Sequence, residues 1–410
     1  MVQKTEVHVA RQPIFDANFN VFAYELLFRS NFINMYDGTD GDQATHAVIA
    51  NTFLLIGIET LTNNKRAFIN FTTNSLKNNI PAMLPKELIA VEILEDVIPD
   101  QDIINACKKL KEKGYVLVLD DFVFKPEYTP LIELADIIKV DFRITPHKER
   151  QEIIQRLRGY PVKFLAEKVE THEEFQEALQ MGYSYFQGYF FCKPLVMSGK
   201  NLPGYKANHL HILQEINKPA LEFSRIEDII KRDVSLSYQL LKFINSPIFG
   251  FRNRISSLRQ ALTLLGQKEL TKWVSLIALK GIANDKPGEL ILASLIRARF
   301  AENLATGRMP KPCVANAFLM GMFSHIDVLL DRPLRQILDE ISLDEEIKHA
   351  LLEKGQNQFS VLYQLIQSYE KGDWEIYSCC VDKMRINEHD VSKYYRESLI
   401  WAQDLIMRNE

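Results

Sequence analysis

Eight short apolar runs, separated by turns or by helical segments, occupy the first 195 residues of this 410-residue chain. Most of them are continuously apolar before a polar end, which is the pattern of strands that are buried on both faces. Eight such strands with intervening helices predict a closed α/β barrel of the TIM type rather than an open sheet. The runs are 6–13, 21–29, 66–72, 89–94, 116–122, 136–142, 162–169 and 183–191.

The connections between the runs indicate how the strands are joined. Residues 16–20 are too few for a helix, so they predict a hairpin in which the first strand is antiparallel to the second. Longer connections show helical periodicity, including residues 46–57. Before another helical segment, Thr171 and Glu174 are spaced as a capping box, and Gly182 is a typical helix stop. The fold class predicted is therefore a modified α/β TIM barrel with an antiparallel first strand.

Strand signals largely stop after residues 193–206, a segment with two prolines and two glycines. Amphipathic helical patterns then follow one another to the C-terminus, without a fixed-period repeat that would indicate a solenoid. We therefore expect two domains, a barrel over residues 1–200 and an all-α domain over residues 201–410.

Composition excludes several classes of function. The net charge of −4 does not suggest a non-specific polyanion binder, so DNA is not expected as a partner. The five cysteines show no CxxC spacing, which favours reduced thiols. No apolar run approaches the roughly 18 residues of a membrane span, and residues 1–15 lack a signal-peptide core. These features predict a soluble, cytoplasmic protein.

Polar side chains interrupt the apolar runs near their C-terminal ends, where a barrel places its active site. A single carboxylate there is commonly a solvated loop residue, but a charge at each of several successive strands is costly to bury without a shared purpose. The series predicts one polar site at the barrel mouth. Its members are Glu25, Asn70, Glu92, Asp120, Asp121, Lys139, Asp141, Glu167 and Gln187.

The chemistry of these side chains favours a particular class of metal. Carboxylates and a carboxamide, without histidine or cysteine, favour Mg²⁺ or Mn²⁺ (or Ca²⁺) over Zn²⁺. The adjacent Asp120 and Asp121 allow a carboxylate to bridge two ions about 4 Å apart, the arrangement that supports in-line phosphoryl displacement. Lys139 is suited to orienting the attacking water or to neutralising charge on the phosphate. The sequence thus predicts metal-assisted hydrolysis of a phosphodiester.

Seven motifs over residues 6–195 resemble, in order, those of EAL domains, the cyclic di-GMP phosphodiesterases. YELLFR resembles the E-x-L-x-R signature, and the later motifs are FINFT, EILE, DDF, KVD, AEKVE and FQGYFFCKP. The resemblance implies a modified TIM barrel whose first strand is antiparallel. It also implies cyclic di-GMP as the substrate, two Mg²⁺ or Mn²⁺ ions as cofactors and, in many members, a homodimer.

The resemblance further implies roles for individual residues. One metal would be held by Glu25, Asn70, Glu92 and Asp120, and the second by Asp120, Asp121 and Glu167. Lys139 and Glu167 would serve the attacking water. Gln187 would support the metals or the substrate, and Gln12 and Arg29 would lie at the substrate phosphate or its surroundings. Glu95 would anchor the loop after the fifth strand.

Two departures from the family pattern lie beside the second metal site. Residues 121–131, DFVFKPEYTPL, stand where active members carry a glycine-rich loop, and Lys168 replaces the glycine of AEGVE. Since lost glycines restrict the backbone, two hypotheses stay open. The barrel is an enzyme that linearises cyclic di-GMP, or it is a degenerate domain that acts as a cyclic-dinucleotide sensor or a protein-interaction scaffold. Hydrolysis of another cyclic dinucleotide is a third possibility.

The helical half resembles an HDOD domain, a relative of HD-type metal phosphohydrolases without their His-Asp pair. The resemblance rests on residues 228–250 and 255–270, and on 321–327, where Ser324 and His325 stand at the position of the pair. It implies a signalling or interaction module with an unknown protein partner. His325 is expected to be structural or solvated.

Overall fold

The computed structural model describes most of the barrel and helical segments. The described residues are 7–30, 57–188, 212–218, 223–231, 240–241, 243–245, 255, 257–282, 287–330, 332–341 and 343–407. The helix predicted at 46–57 lies outside them except for its last residue.

The first part of the chain forms a closed eight-stranded barrel in which neighbours in sequence are neighbours in space. All ladders are parallel except those that β1 makes with β2 and with β8, which are antiparallel. The predicted fold class is therefore confirmed. The strands are β1 (Val7–Asp16), β2 (Val21–Ser30), β3 (Arg66–Phe71), β4 (Ile89–Ile93), β5 (Val116–Leu119), β6 (Ile137–Asp141), β7 (Lys163–Glu167) and β8 (Tyr185–Gln187).

The hairpin between β1 and β2 explains why the first strand runs against the others. The Asp16 carboxylate accepts hydrogen bonds from the backbone N–H groups of Asn18 at 2.8 Å and Asn20 at 2.9 Å. Phe19 takes the left-handed conformation, with φ of 61°. An aspartate that bonds the backbone of its own turn reverses the chain within a few residues.

Short helices fill the other connections of the barrel. They are α1 (Ile58–Thr62), α2 (Thr73–Lys77), α3 (Gln101–Glu112), α4 (Thr129–Ile132), α5 (His147–Leu157) and α6 (His172–Met181), with 3₁₀ turns at Ile80–Met83 and Pro126–Tyr128. Helix α6 begins at the predicted capping box of Thr171 and Glu174, and it ends at Gly182 with φ of 98°.

One side chain from every strand forms the apolar core layer of the barrel. Ile14, Ala23, Phe68, Ala90, Val118, Ile137, Leu165 and Tyr185 make up this layer. Their burial follows from the alternation of side chains along a strand, which points every second residue of each strand into the barrel. The layer closes the barrel interior below the mouth.

The remaining described elements are helical. They are α7 (Phe223–Lys231), α8 (Leu258–Ile282), α9 (Gly288–Ala305), α10 (Lys311–Phe323), α11 (Ile326–Leu330), α12 (Leu334–Glu340), α13 (Glu345–Leu351), α14 (Gln358–Lys371), α15 (Trp374–Met384) and α16 (Glu388–Met407). Within α8, Gly266 has φ of 68° and interrupts the helix. Among the described residues, no helix has both the length and the apolarity needed to cross a membrane.

The chain divides into two compact units. One unit comprises residues 1–193 with 365–410, and the other comprises residues 194–364. In the first unit the buried Tyr369 hydroxyl donates a hydrogen bond to the Val9 carbonyl at 3.1 Å. The Gln403 amide donates to the Thr60 carbonyl at 2.8 Å. Residues of helices α14 and α16 therefore contact β1 and α1 within this unit.

Candidate active site

All of the predicted strand-end residues except Asp121 and Asp141 lie one layer above the core layer, on the same inner face of the barrel. Each of these is two positions along the chain from a core-layer residue, as Glu25 is from Ala23 and Lys139 is from Ile137. Since β1 is antiparallel, its contribution, Gln12, lies two positions before Ile14. Side-chain alternation thus brings Gln12, Glu25, Asn70, Glu92, Asp120, Lys139, Glu167 and Gln187 to one ring at the barrel mouth.

Lys139 occupies the centre of this ring and is fully buried. Its ammonium nitrogen lies 2.7 Å from Glu92 Oε1, 2.8 Å from Asp120 Oδ1 and 2.8 Å from Glu167 Oε1. It also lies 3.5 Å from Glu25 Oε2. One cation therefore joins carboxylates from four other strands.

Burial and charge act in opposite directions on these groups. Burial alone lowers the pKa of Lys139, but the carboxylates of Glu167, Glu25, Glu92 and Asp120 outweigh it and hold that pKa well above its usual value. Burial raises the pKa of Glu92 and of Glu167 well above the usual value, although Lys139 lowers both. Because carboxylates outnumber ammonium groups here, the ring can accept further positive charge.

Gln187, at the end of β8, forms hydrogen bonds with one side chain of β1 and one of β2. Its side-chain amide donates to Glu25 Oε2 at 2.6 Å and to Gln12 Oε1 at 3.0 Å. Gln12 and Glu25 are themselves paired in the register of β1 and β2. The three side chains therefore form one hydrogen-bonded group at the side of the ring where β1 closes the barrel.

A second group of carboxylates lies where β5 and β7 end. One oxygen from each of Asp120, Asp121 and Glu167 lies within 4.8 Å of the others, a spacing that allows one ion to contact all three. Asp121 has φ of 38°, and its N–H donates to Asp120 Oδ1 at 3.1 Å. Burial and the neighbouring Asp120 raise the pKa of Asp121.

Asp141 and Lys168 lie beside this group. Asp141 Oδ1 accepts the backbone N–H groups of Arg143 at 2.6 Å and Ile144 at 3.3 Å, and its Oδ2 accepts the Lys168 ammonium. The same ammonium lies 4.0 Å from Asp121 Oδ2. The sequence patterns marked Asp141 only as a strand-end residue and Lys168 only as a replaced glycine. Asp141 ends β6 and Lys168 follows β7, and nothing in the sequence indicated that their side chains are in contact.

Several buried oxygens of the site have no hydrogen-bond partner among the described residues. They are Asn70 Oδ1, both carboxylate oxygens of Glu92, Asp121 Oδ1 and Gln187 Oε1. The Lys139 ammonium nevertheless lies 2.7 Å from Glu92 Oε1 as an ion-pair partner. Buried oxygens are rarely left unbonded, and hard oxygen donors are the ligands that Mg²⁺ and Mn²⁺ prefer. The residues present therefore fit divalent metal.

Two predicted residues, Arg29 and Glu95, are not among the side chains placed in this ring. Arg29 is in β2, opposite His8, and its side chain is outside the part described. The Glu95 side chain is exposed, but its backbone carbonyl accepts the Tyr128 hydroxyl at 3.1 Å. Tyr128 belongs to the segment after β5, so a link between Glu95 and that segment exists through the main chain. The roles assigned to both residues stay predictions.

In the helical unit, His325 is 4% exposed, so of the two alternatives left open by the sequence, a structural or a solvated histidine, the structural one holds. Its Nδ1 lies 3.2 Å from the buried Ser294 hydroxyl. The neighbouring Ser324 hydroxyl accepts a hydrogen bond from Arg297 at 3.2 Å and donates to the Gly321 carbonyl at 2.8 Å. Burial, with the nearby Arg297, holds the pKa of His325 well below its usual value.

This burial predicts a pH-dependent stability. Below the ordinary histidine pKa of 6.5 the unfolded chain binds a proton that folded His325 does not, so stability falls as pH falls from 7.5 to 6. We expect His325→Gln to reduce that fall by about 1 kcal/mol. Urea unfolding at both pH values measures it. Burial raises the pKa of Asp327 to about 6, but Asp327 is present in both proteins and cancels in the comparison. An equal fall in both proteins would contradict the prediction.

Comparison with known proteins agrees with this two-part organisation. The EAL domain family model matches residues 42–194, and the HDOD domain family model matches residues 202–354. Strands β1 and β2, with Glu25, precede the first match but belong to the same closed barrel. A solved EAL domain protein from Listeria monocytogenes is 22% identical over 45% of this chain and 87% of that chain, with a TM-score of 0.36.

Two curated relatives match nearly the whole chain. The uncharacterized protein YuxH of Bacillus subtilis is 39% identical over 408 residues, which are 98% of this chain and 99% of the relative. The cyclic di-GMP phosphodiesterase CdgJ of Vibrio cholerae is 37% identical over 402 residues, which are 97% of this chain and 93% of that protein. Each of these two relatives therefore matches both halves of the chain in a single protein.

Proposed function

This chain belongs to the proteins in which an EAL domain is followed by an HDOD domain, and from that premise we propose that its barrel hydrolyses cyclic di-GMP. The product proposed is the linear dinucleotide pGpG. The observation that carries the proposal is the ring at the barrel mouth, in which carboxylates from successive strands surround Lys139 and leave buried oxygens without partners. The name of the Vibrio relative states the same activity for that protein.

The residues proposed to hold two Mg²⁺ or Mn²⁺ ions form two overlapping sets. Glu25, Asn70, Glu92 and Asp120 would hold one ion, and Asp120, Asp121 and Glu167 would hold the other. The spacing of the second set and the unpartnered oxygens of both sets support this assignment. When bound, the ions would supply Lewis-acid activation of water and charge neutralisation at the phosphate.

The chain's own residues would position and activate the attacking water. Glu167 is proposed as the group that accepts a proton from it, because burial has raised its pKa above that of an ordinary carboxylate. Lys139, 2.8 Å from Glu167, is proposed to orient the water and to balance charge on the phosphate. Gln187 would hold Glu25 and Gln12 in place, and Gln12 and Arg29 would lie at the substrate.

A second candidate function is that of a cyclic-dinucleotide sensor or scaffold without turnover. It is favoured by the left-handed backbone at Asp121 and Lys168, with φ of 38° and 54°, in the segments where glycines are absent. The Lys168 ammonium beside Asp121 also adds positive charge next to the second set of ligands. Hydrolysis of another cyclic dinucleotide is the third hypothesis.

The helical unit is proposed as a signalling or interaction module for a protein partner. A homodimer and a cytoplasmic location are proposed with it, the first from the family resemblance and the second from the cysteine spacing, which favours reduced thiols. Light scattering of the purified protein tests the dimer, and a monomer at micromolar concentration would contradict it.

The enzyme proposal predicts that Glu25→Ala abolishes turnover. Glu25 is 6% exposed, accepts a hydrogen bond from the Gln187 amide and lies 3.5 Å from the Lys139 ammonium. Its replacement by alanine would remove one proposed ligand of the first ion. We expect the rate of cyclic di-GMP cleavage with Mn²⁺ to fall by about a hundredfold or more. Chromatography of the nucleotides measures it.

Glu112→Ala is the matched control, because it removes an exposed carboxylate at the end of α3. It is expected to keep the wild-type rate. Equal turnover by Glu25→Ala and wild type would exclude the proposed site. Tight nucleotide binding by wild type without any product would favour the sensor.

A further inference from the structure

Lys168 lies in a backbone conformation that does not suit lysine. It follows Glu167 directly at the mouth end of β7, with φ of 54° in the left-handed region. A residue with a Cβ is disfavoured there, whereas glycine is not. The Lys168 side chain makes contacts that a glycine could not, because its ammonium lies beside Asp141 and Asp121 at the barrel mouth.

Asp141 fixes the position of the Lys168 ammonium. This aspartate is 2% exposed, and its Oδ1 is held by two backbone N–H groups of the following turn. Its Oδ2 is therefore oriented before it accepts the lysine. Although the Lys168 side chain is 53% exposed, its charged end is tied to a rigid buried anchor.

The anchored ammonium stands next to the carboxylates assigned above to the second ion. It lies 4.0 Å from Asp121 Oδ2, and Asp121 forms the three-carboxylate group with Asp120 and Glu167. Two cations that share a carboxylate repel one another, and water at a half-exposed lysine reduces this repulsion without removing it.

We propose that Lys168 is a positioning residue that competes with the second divalent ion for Asp121 and weakens the binding of that ion. The inference rests on the proposed function, because it uses the assignment of Asp120, Asp121 and Glu167 to a metal. This competition raises the concentration of divalent cation needed to load the second ion above the concentration needed to load the first.

The test counts bound Mn²⁺ in the full-length protein without nucleotide, using the electron paramagnetic resonance signal of free Mn²⁺. Lys168→Met keeps the length of the side chain and removes its charge, and Lys168→Gly also removes the backbone strain. Lys113→Met, at an exposed lysine after α3, is the matched control. Circular dichroism checks that all variants are folded.

We expect wild type and Lys113→Met to bind one ion tightly and a second more weakly. Both Lys168 variants should bind the second ion roughly tenfold more tightly, with the first unchanged. A second ion that appears only in the Lys168 variants would support the same conclusion. Unchanged or weaker binding of the second ion, or no binding of Mn²⁺ by any variant, would overturn it. These outcomes need no turnover, so absent hydrolysis with the expected metal binding would reject the proposed function alone.

Discussion

Replacing Lys139 by methionine is expected to destabilise the barrel by about 3–5 kcal/mol in metal-free buffer, because removing one partner of a buried ion pair leaves the other charge uncompensated. The ammonium is fully buried and lies within 3.5 Å of carboxylates from four strands, so its loss leaves several charges close together. The loss of stability should be smaller with Mn²⁺ present, because the added cations replace part of the lost positive charge. Turnover should fall by about a hundredfold or more at saturating Mn²⁺.

Urea unfolding in chelator and in Mn²⁺ measures the change in the free energy of unfolding. Two of the three tryptophans, Trp374 and Trp401, lie in the compact unit that contains the barrel, so fluorescence follows it. Lys163→Met is the control, because Lys163 is at the opposite end of β7 from the ring and its ammonium donates to the Tyr185 hydroxyl at 3.2 Å. A loss of stability no larger than that of the control would show that the buried carboxylates do not need the charge of Lys139 for the barrel to stay folded.

Gly188→Ala is expected to destabilise the barrel by about 3 kcal/mol or more. Gly188 has φ of 144°, and an added Cβ would lie 2.1 Å from the Val169 carbonyl oxygen and 2.5 Å from the Val169 nitrogen. Val169 donates its N–H to the Gln187 carbonyl at 3.0 Å. The methyl group must therefore separate the ends of β7 and β8 and move Gln187 away from Glu25.

Gly159→Ala is the matched control, because nothing lies within 4 Å of an added Cβ at Gly159 and its φ is not positive. We expect its stability to stay within about 1 kcal/mol of wild type. Thermal unfolding and nucleotide turnover together measure both variants. If Gly188→Ala behaves like Gly159→Ala, then the close contact between β7 and β8 is not required by the barrel.

The position of the ring in the fold follows from features that a sequence carries. Alternation fixes Glu25 and Glu92 on the same face as Ala23 and Ala90, and the short turn after Asp16 fixes the direction of β1. With these two facts, polar residues at strand ends must meet at one mouth. The fold class and the presence of one shared polar site were therefore predictable.

The contacts between distant side chains were not predictable in the same way. The left-handed backbone at Lys168 and the anchoring of its ammonium by Asp141 depend on how two strand ends lie in space. The amphipathic pattern of α14 and α16 indicates an apolar face but not which surface it covers, and here Tyr369 and Gln403 bind the barrel. For the same reason, the sequence left open whether His325 is buried, since burial depends on the packing of neighbouring helices.

The most direct test of the central claim is the fate of cyclic di-GMP incubated with the wild-type protein. The protein is first stripped of metal and then supplied with Mn²⁺ or with chelator, and the nucleotides are separated by chromatography. The ring of carboxylates predicts conversion to pGpG with Mn²⁺ and none with chelator. Unchanged cyclic di-GMP under both conditions would contradict the enzyme and leave a sensor or scaffold, and conversion in chelator would contradict the role of metal.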